Sequence, residues 1–428
     1  MKKILRTLMT VLLLSAVAIP MSFVNVATSS AIEARGFAVA QDFFEDEKYL
    51  EEYANYLEEK YGENYEDLLA RNAHSSENAD IIRSLFPRNK EGELIYPDFF
   101  GGIYIDSDHD LVIQIVKNNV PKETADNYSL FANTLSVDKS ANIEYVDYSF
   151  AEAAKVMTTI TDYYRLNFPI KVPALQNGVR VYLDSYTTDN VIAYYDDVIG
   201  NRVVVELRDY SEKKVAEFRN TVIDSPLIVF KPGTEYVEYN NPGARLASIG
   251  CTLGYRARVS TTNVGVVTAG HCVPSGVGTV ILALNGTLFG TVWSWRNSGN
   301  VDAAYITTHN VTITNTLNRG PSGGTGPTLS TAVKTSFTVG DFIGKVGWSS
   351  NWTTGTVTNV NFSHGGLTGL INTSAWGQPG DSGAIVFGGS ATAPTTAGIL
   401  RGGPNSTGGN FCFTRADRIN SAFGTSRY

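Results

Sequence analysis

The chain has 428 residues, 43% apolar and 18% charged, which supplies ample material for buried cores and argues against global disorder. Its net charge of -8 joins two opposed parts: 23 Lys+Arg against 38 Asp+Glu up to residue 240, then 11 against 4 from residue 241 onward. The positive part is rich in Gly, Ser and Thr with scattered Arg and no basic run, so no nucleic-acid partner is expected.

Lys2, Lys3 and Arg6 precede an apolar stretch from Leu8 to Ile19, then Pro20 and a small-residue exit ending Ser29-Ser30-Ala31. This order predicts a secretory signal peptide over residues 1–31 and a secreted, extracellular product. A dozen apolar residues span roughly 18 Å as a helix against a hydrocarbon core of ~30 Å, so no stable membrane anchor is expected. Export bears on the three cysteines. Cys251 and Cys272 can close a loop worth roughly 3 kcal/mol on the chain-entropy model. Cys412, within Asn-Phe-Cys-Phe-Thr, reads as a small buried hydrophobe. No CxxC pair or His cluster accompanies them, so neither a metal nor a cofactor is expected.

Residues 41–72 are acidic, with Phe44, Tyr49, Leu50, Tyr53, Leu57 and Tyr61 near helical spacing, which predicts an amphipathic helical segment. Residues 102–116 read as a β-hairpin around an Asp/Ser turn, and 149–165 as a helix. A second hairpin is predicted over 191–206 with its turn near Gly200-Asn201, then a helix over 211–222 and an extended run over 226–230. The region is acidic α+β. His74 and His109 carry no partner signal and are expected on its surface.

The stretch 231–243, with two Pro-Gly pairs, reads as a linker. Beyond it, short Val/Thr/Ile-rich runs alternate with Gly, Asn, Ser and Pro, and helical periodicity returns only near Arg415–Phe423. Many short strands over ~190 residues predict a β-barrel or sandwich. Three domains result: a signal peptide (1–31), an acidic α+β segment ending in the linker (32–240) and a β-rich domain (241–428).

Three strings in the β-rich domain carry chemistry: Thr268-Ala-Gly-His271-Cys272, Asn300-Val-Asp302, and Gly377-Gln-Pro-Gly380-Asp381-Ser382-Gly383. A serine hydroxyl is a poor nucleophile until an imidazole takes its proton, and that imidazole needs a buried carboxylate to fix its tautomer. Glycines around the serine allow a tight turn in which the amides of Gly380 and Ser382 converge on a developing oxyanion. Each string alone has a bland reading, as a structural His, a cap or a turn. Their conjunction decides, because only three His and four acids follow residue 240 and two of those acids, Asp302 and Asp381, fall inside the strings. His309 and His364 lie in polar surroundings and are expected in solvated loops. The order His271, Asp302, Ser382 matches chymotrypsin-type enzymes and differs from that of subtilisins and α/β-hydrolases.

On these residues the segment 249–428 resembles the bacterial chymotrypsin-fold serine endopeptidases of the α-lytic protease and streptogrisin type. Gly250-Cys251-Thr-Leu-Gly-Tyr-Arg-Ala-Arg-Val and the His271-Cys272 string are similar to the opening of that group. Gly380-Asp-Ser-Gly383 resembles its nucleophile motif, and Gly398-Ile-Leu-Arg-Gly402-Gly403 the strand lining its primary pocket. Residues 191–230 resemble its propeptides, which act as folding chaperones. The resemblance implies an all-β double β-barrel (chymotrypsin-like) catalytic domain preceded by an α+β propeptide, with a Cys251–Cys272 disulfide beside the catalytic histidine. It implies catalytic His271, Asp302 and Ser382, an oxyanion hole at Gly380 and Ser382, and substrate-binding residues Trp376, Leu400, Arg401, Gly402 and Gly403. The expected partners are protein or peptide substrates and the chain's own propeptide, in a monomer. The charge contrast between the two parts would favour their association.

Two positions depart from the family. Arg401 stands where a Ser is usual, so a guanidinium is expected beside Asp302. The internal Arg that pairs with the carboxylate at Asp381 is matched by Trp348, which leaves Arg401 as a candidate to supply that charge. Trp376, six residues before Ser382, argues against an acidic pocket floor, and Leu400 stands where glutamyl-specific relatives have His. An apolar or aromatic residue before the cut is therefore expected, with Tyr236 and Tyr239 as candidate maturation points. The rival reading is a catalytically impaired protease-fold binding or adhesion protein, with Arg401 as its best argument.

Overall fold

The structure is a computed structural model that describes residues 47–90, 92–117, 141–176, 179–233, 237–238, 251–273, 279–282, 288–309, 313, 315–318, 325–389, 394–404 and 408–428. The expected signal peptide, Tyr236, Tyr239 and the stretch 239–250 lie outside the described residues. Among the described residues no helix is long and apolar enough to cross a membrane.

The acidic part begins with two helices rather than one, α1 (Glu47–Tyr61) and α2 (Tyr65–Ser84). Gly62, at φ 88°, takes the left-handed conformation that ends α1. The hairpin expected over 102–116 forms as β1 (Phe100–Ile105) and β2 (Leu111–Val116), with β3 (Asn142–Val146) parallel to β2. Helix α3 (Phe150–Asn167) starts at a capping box in which Ser149 and Glu152 satisfy each other's backbone amides. A long hairpin follows that sequence patterning did not reveal, β4 (Pro169–Gln176) with β5 (Val179–Tyr186). Next come the expected hairpin β6 (Val191–Asp197) and β7 (Arg202–Leu207), helix α4 (Glu212–Thr221), and β8 (Ile228–Pro232) parallel to β7. The turn between β6 and β7 holds Asn201 at φ 50°. Ile160, Tyr164, Val203, Val205, Phe218 and Phe230 form the core beneath this sheet.

Strand β9 (Val237–Glu238) precedes the β-rich part. There β10 (Arg256–Arg258), β11 (Val264–Thr268), β12 (Val280–Leu282), β13 (Leu288–Ser298) and β14 (Val301–Thr308) build one sheet, with a small hairpin of β15 (Thr316–Asn318) and β16 (Thr325–Thr328). Strands β17 (Phe342–Gly347), β18 (Asn351–His364), β19 (Leu367–Gly377), β20 (Ile385–Gly389), β21 (Pro394–Gly403) and β22 (Gly409–Arg415) follow. Their order is β17-β20-β21-β22-β19-β18, and the pairing of β17 with β18 closes it into a six-stranded barrel. Helix α5 (Ala416–Phe423) and β23 (Ser426–Arg427) end the chain, and β23 returns to pair with β10 of the first sheet. The expected architecture, an all-β double barrel preceded by an α+β region, is the one observed.

The acidic part joins the barrels by adding strands to them. Strand β6 pairs with β18 at Tyr194↔Ser363 and Ala193↔His364, and β4 pairs with β13 at Leu175↔Trp295 and Ala174↔Arg296. Strand β9 pairs with β21 at Glu238↔Gly402 and Val237↔Gly403. Leu57 and Leu69 of the first two helices pack into the same core as Phe342, Val346 and Trp352. Two expectations for histidines are corrected here. His109 is half-buried, because the β1–β2 turn lies against α2, and Asn72 Nδ2 is 2.9 Å from its Nδ1. His364 occupies the end of β18 under β6 and stacks on Phe362, so it is not in a solvated loop. His74 and His309 are exposed, as expected.

Candidate active site

His271 follows the end of β11, Asp302 lies at the start of β14, and Ser382 sits in the turn between β19 and β20. Strands β11 and β14 are direct neighbours, with Thr268 opposite Ala304, so the His and the Asp share one sheet. Ser382 comes from the other barrel. The three side chains meet in one line: His271 Nδ1 is 2.6 Å from Asp302 Oδ2, and His271 Nε2 is 2.9 Å from Ser382 Oγ.

The carboxylate grips the histidine twice, because Asp302 Oδ1 also accepts the backbone N–H of His271 at 2.9 Å. That geometry assigns the Nδ1 proton to the Asp302 side and leaves Nε2 as an acceptor for the serine hydroxyl. Ser382 Oγ has a second acceptor in reach, the Arg401 carbonyl at 3.2 Å. Burial alone would raise the Asp302 carboxyl, but His271 and then Arg401 hold it below the usual carboxylate range. The surroundings fix this end of the site. Trp295 Nε1 donates to the Gly270 carbonyl, and the backbone N–H of Asp302 donates to Thr414 Oγ1 at 3.3 Å. A Cβ on Gly270 would lie 2.3 Å from the Arg296 carbonyl oxygen, so only glycine lets the chain before His271 pass that strand. Cys251 and Cys272 form a disulfide with Cα atoms 6.1 Å apart, next to His271. Cys412 is buried outside it.

The serine turn is held from three sides. Gly380 at φ 98° and Gly383 at φ 81° take conformations that L side chains rarely adopt. Thr252 donates its N–H to the Ser382 carbonyl at 2.8 Å and its hydroxyl to the Gly380 carbonyl at 2.7 Å. The Gly383 amide bonds the Leu400 carbonyl at 2.9 Å, which ties the turn to β21. Beneath it Asp381 is wholly buried and pairs with Lys345, whose Nζ lies 2.8 Å from Oδ2. The other oxygen accepts the amides of Ser349 and Ser350. Lys345 thus fills the role for which Arg401 stood as a candidate. Desolvation lowers the Lys345 ammonium, with Asp381 opposing it. Arg401 instead lies with its Nε 3.6 Å from Asp302 Oδ2, as the other expectation held.

The expected substrate-binding residues separate. Gly402 and Gly403 lie at the β21 edge that pairs with β9. Leu400 is buried in the core of the second barrel, and Arg401 is buried behind Asp302. Trp376 is 48% exposed, its ring against Gly408. Lys345 and Thr414 escaped sequence reading because neither belongs to a string of recognisable spacing, and Thr252, though inside the Cys251 string, takes its role from a pairing with Gly380 and Ser382 far along the chain.

Residues 44–139 match the family of Pro-like N-terminal domains, and residues 154–233 that of Pro-like C-terminal domains. Streptogrisin-C of Streptomyces griseus is 28% identical over 267 residues, 58% of this chain and 55% of that protein. The chain thus spans about half the length of the curated relative it matches. Among solved structures, Nocardiopsis protease is 30% identical, matching 41% of this chain and 91% of its own length with a TM-score of 0.35. Cellulomonas bogoriensis chymotrypsin is 28% identical, over 42% of this chain and 90% of its own length with a TM-score of 0.34. The chain thus carries Pro-like N- and C-terminal domains and is similar to bacterial chymotrypsin-type serine proteases.

Proposed function

We propose that the chain is the precursor of a secreted, monomeric serine endopeptidase that cleaves peptide bonds through an acyl-enzyme. Its parts are a signal peptide (1–31), a propeptide (32–240) and the protease (241–428). The observation that carries this reading is the Ser382–His271–Asp302 hydrogen-bonded line, joined across two barrels. Ser382 Oγ attacks the scissile carbonyl as His271 Nε2 takes its proton, and Asp302 Oδ2 stabilises the imidazolium through Nδ1–H. The amides of Gly380 and Ser382 receive the developing oxyanion. The imidazolium then protonates the leaving amine, and water repeats the sequence on the ester.

Extended substrate would add to the β21 edge at Gly402 and Gly403. In the precursor β9 holds that edge, which supports reading the end of the propeptide as an occupant that keeps substrate out. Trp376 and the two glycines favour an apolar or aromatic residue before the cut, since none of these three offers charge to a substrate. The test is to purify the secreted product, sequence its new N-terminus and profile its cleavages on casein and a peptide library. Cuts after aromatic or large apolar residues support the reading, and cuts after Lys or Glu overturn the preference. The second reading, a catalytically impaired binding or adhesion protein, draws on Arg401 lying 3.6 Å from Asp302, and fails if casein is cleaved.

A further inference from the structure

One oxygen of Asp302 faces two partners. Oδ2 lies 2.6 Å from His271 Nδ1 and 3.6 Å from Arg401 Nε, and the side chains of His271, Asp302 and Arg401 are 1%, 0% and 6% exposed. We propose that Arg401 is a positioning residue that, through Asp302, governs how readily His271 holds a second proton, and so displaces the acid limb of the protease's pH profile towards lower pH. This rests on the reading of His271 as the general base.

The guanidinium keeps its charge throughout the working pH range. Sharing Asp302 Oδ2, it draws on the negative charge that would otherwise stabilise an imidazolium, and as a like charge nearby it opposes that imidazolium directly. In a buried site such effects are weakly screened. Two further titratable groups among the described residues lie near it, and both are neutral in the working range. Strand β18 contributes His364, which burial and then Arg401 push down to about 3, and β22 contributes Cys412, whose thiol burial pushes up to about 11. The turn after β18 closes over the guanidinium, since a Cβ on Gly365 would lie 3.8 Å from Arg401 Nη2. Arg401 is therefore a positive charge behind the carboxylate, with these two neutral groups beside it. The same arrangement leaves the imidazolium less stabilised during the reaction, so the wider pH range comes with slower chemistry at the plateau.

The test expresses the full chain, collects the processed protease and measures kcat/KM against pH on a Phe-ending peptide p-nitroanilide. Arg401→Ser and Arg401→Gln remove the charge, and the acid-limb midpoint is expected to rise by about one pH unit, roughly a tenfold change in proton binding. Arg401→Lys keeps the charge and is expected to keep the midpoint. Arg401→Gln fills more of the pocket and serves if Arg401→Ser yields no processed enzyme. A purely structural role would lower kcat at every pH with the midpoint unmoved, and that result overturns the proposal. Ser382→Ala separates the two claims. Turnover surviving in it overturns the reading of the site, whereas full loss beside an unmoved Arg401→Gln midpoint overturns the role of Arg401 alone.

Discussion

Lys345 Nζ and Asp381 Oδ2 lie 2.8 Å apart with both side chains wholly buried, directly beneath the turn that carries Ser382. The pair anchors that turn. Asp381 Oδ2 also accepts the Gln378 amide at 3.1 Å, so the carboxylate ties the chain before the serine to the start of the second barrel. Removing one member of a buried pair strands the other charge, at a cost of about 3–5 kcal/mol. Lys345→Met is expected to lower the thermal unfolding midpoint of the full chain sharply and to abolish processing. Adding Asp381→Asn is expected to recover part of the midpoint without restoring activity.

Asn72 forms a second anchor, between the Pro-like part and the second barrel. Its Nδ2 donates to the Gly340 carbonyl at 2.8 Å and its Oδ1 accepts the Phe342 amide at 2.8 Å. Each orphaned buried backbone group costs about 1–3 kcal/mol. Asn72→Ala is expected to weaken docking of α2 and to expose the segment 337–342 to faster amide hydrogen exchange. Unchanged exchange there would show that the clamp contributes little.

Asp196 gives the precursor a pH dependence. It is buried near β18, and desolvation, then Asp197, push its carboxyl up to about 7. The folded value lies above the unfolded one, so the folded state binds the extra proton. The stabilising effect is complete below about pH 4 and is lost as pH rises towards 7. Asp196→Asn is expected to flatten the fall in unfolding midpoint between pH 4 and 7. An identical slope in the variant would assign the dependence elsewhere.

The Cys251–Cys272 disulfide closes a loop of 21 residues that contains β10 and β11 and ends beside His271. Replacing both cysteines with serine is expected to cost about 3 kcal/mol on the chain-entropy model and to shorten the half-life of activity on heating. An unchanged half-life would show that the first sheet is held by other means.

Local signals made much of this legible in the sequence. The β1–β2 and β6–β7 hairpins, the start of α3 at Ser149 and the run of α5 follow from alternation, turn residues and caps. The three strings carrying His271, Asp302 and Ser382 were legible because glycines and chain order constrain them. What escaped depends on pairing across long separations. Nothing near Pro169–Tyr186 signals that β4 will add to β13, and nothing near Lys345 announces a buried carboxylate 36 residues on. His109 and His364 were misplaced for the same reason: polar neighbours suggest solvent, but another element covers each. Arg401 was legible beside Asp302 only through comparison with a family pattern.

The most direct test labels the processed protein with an active-site phosphonate and locates the adduct by mass spectrometry. The account predicts one adduct, on Ser382, lost in His271→Ala and strongly slowed in Asp302→Asn. No adduct once the propeptide is fully removed, or an adduct indifferent to His271, would contradict it.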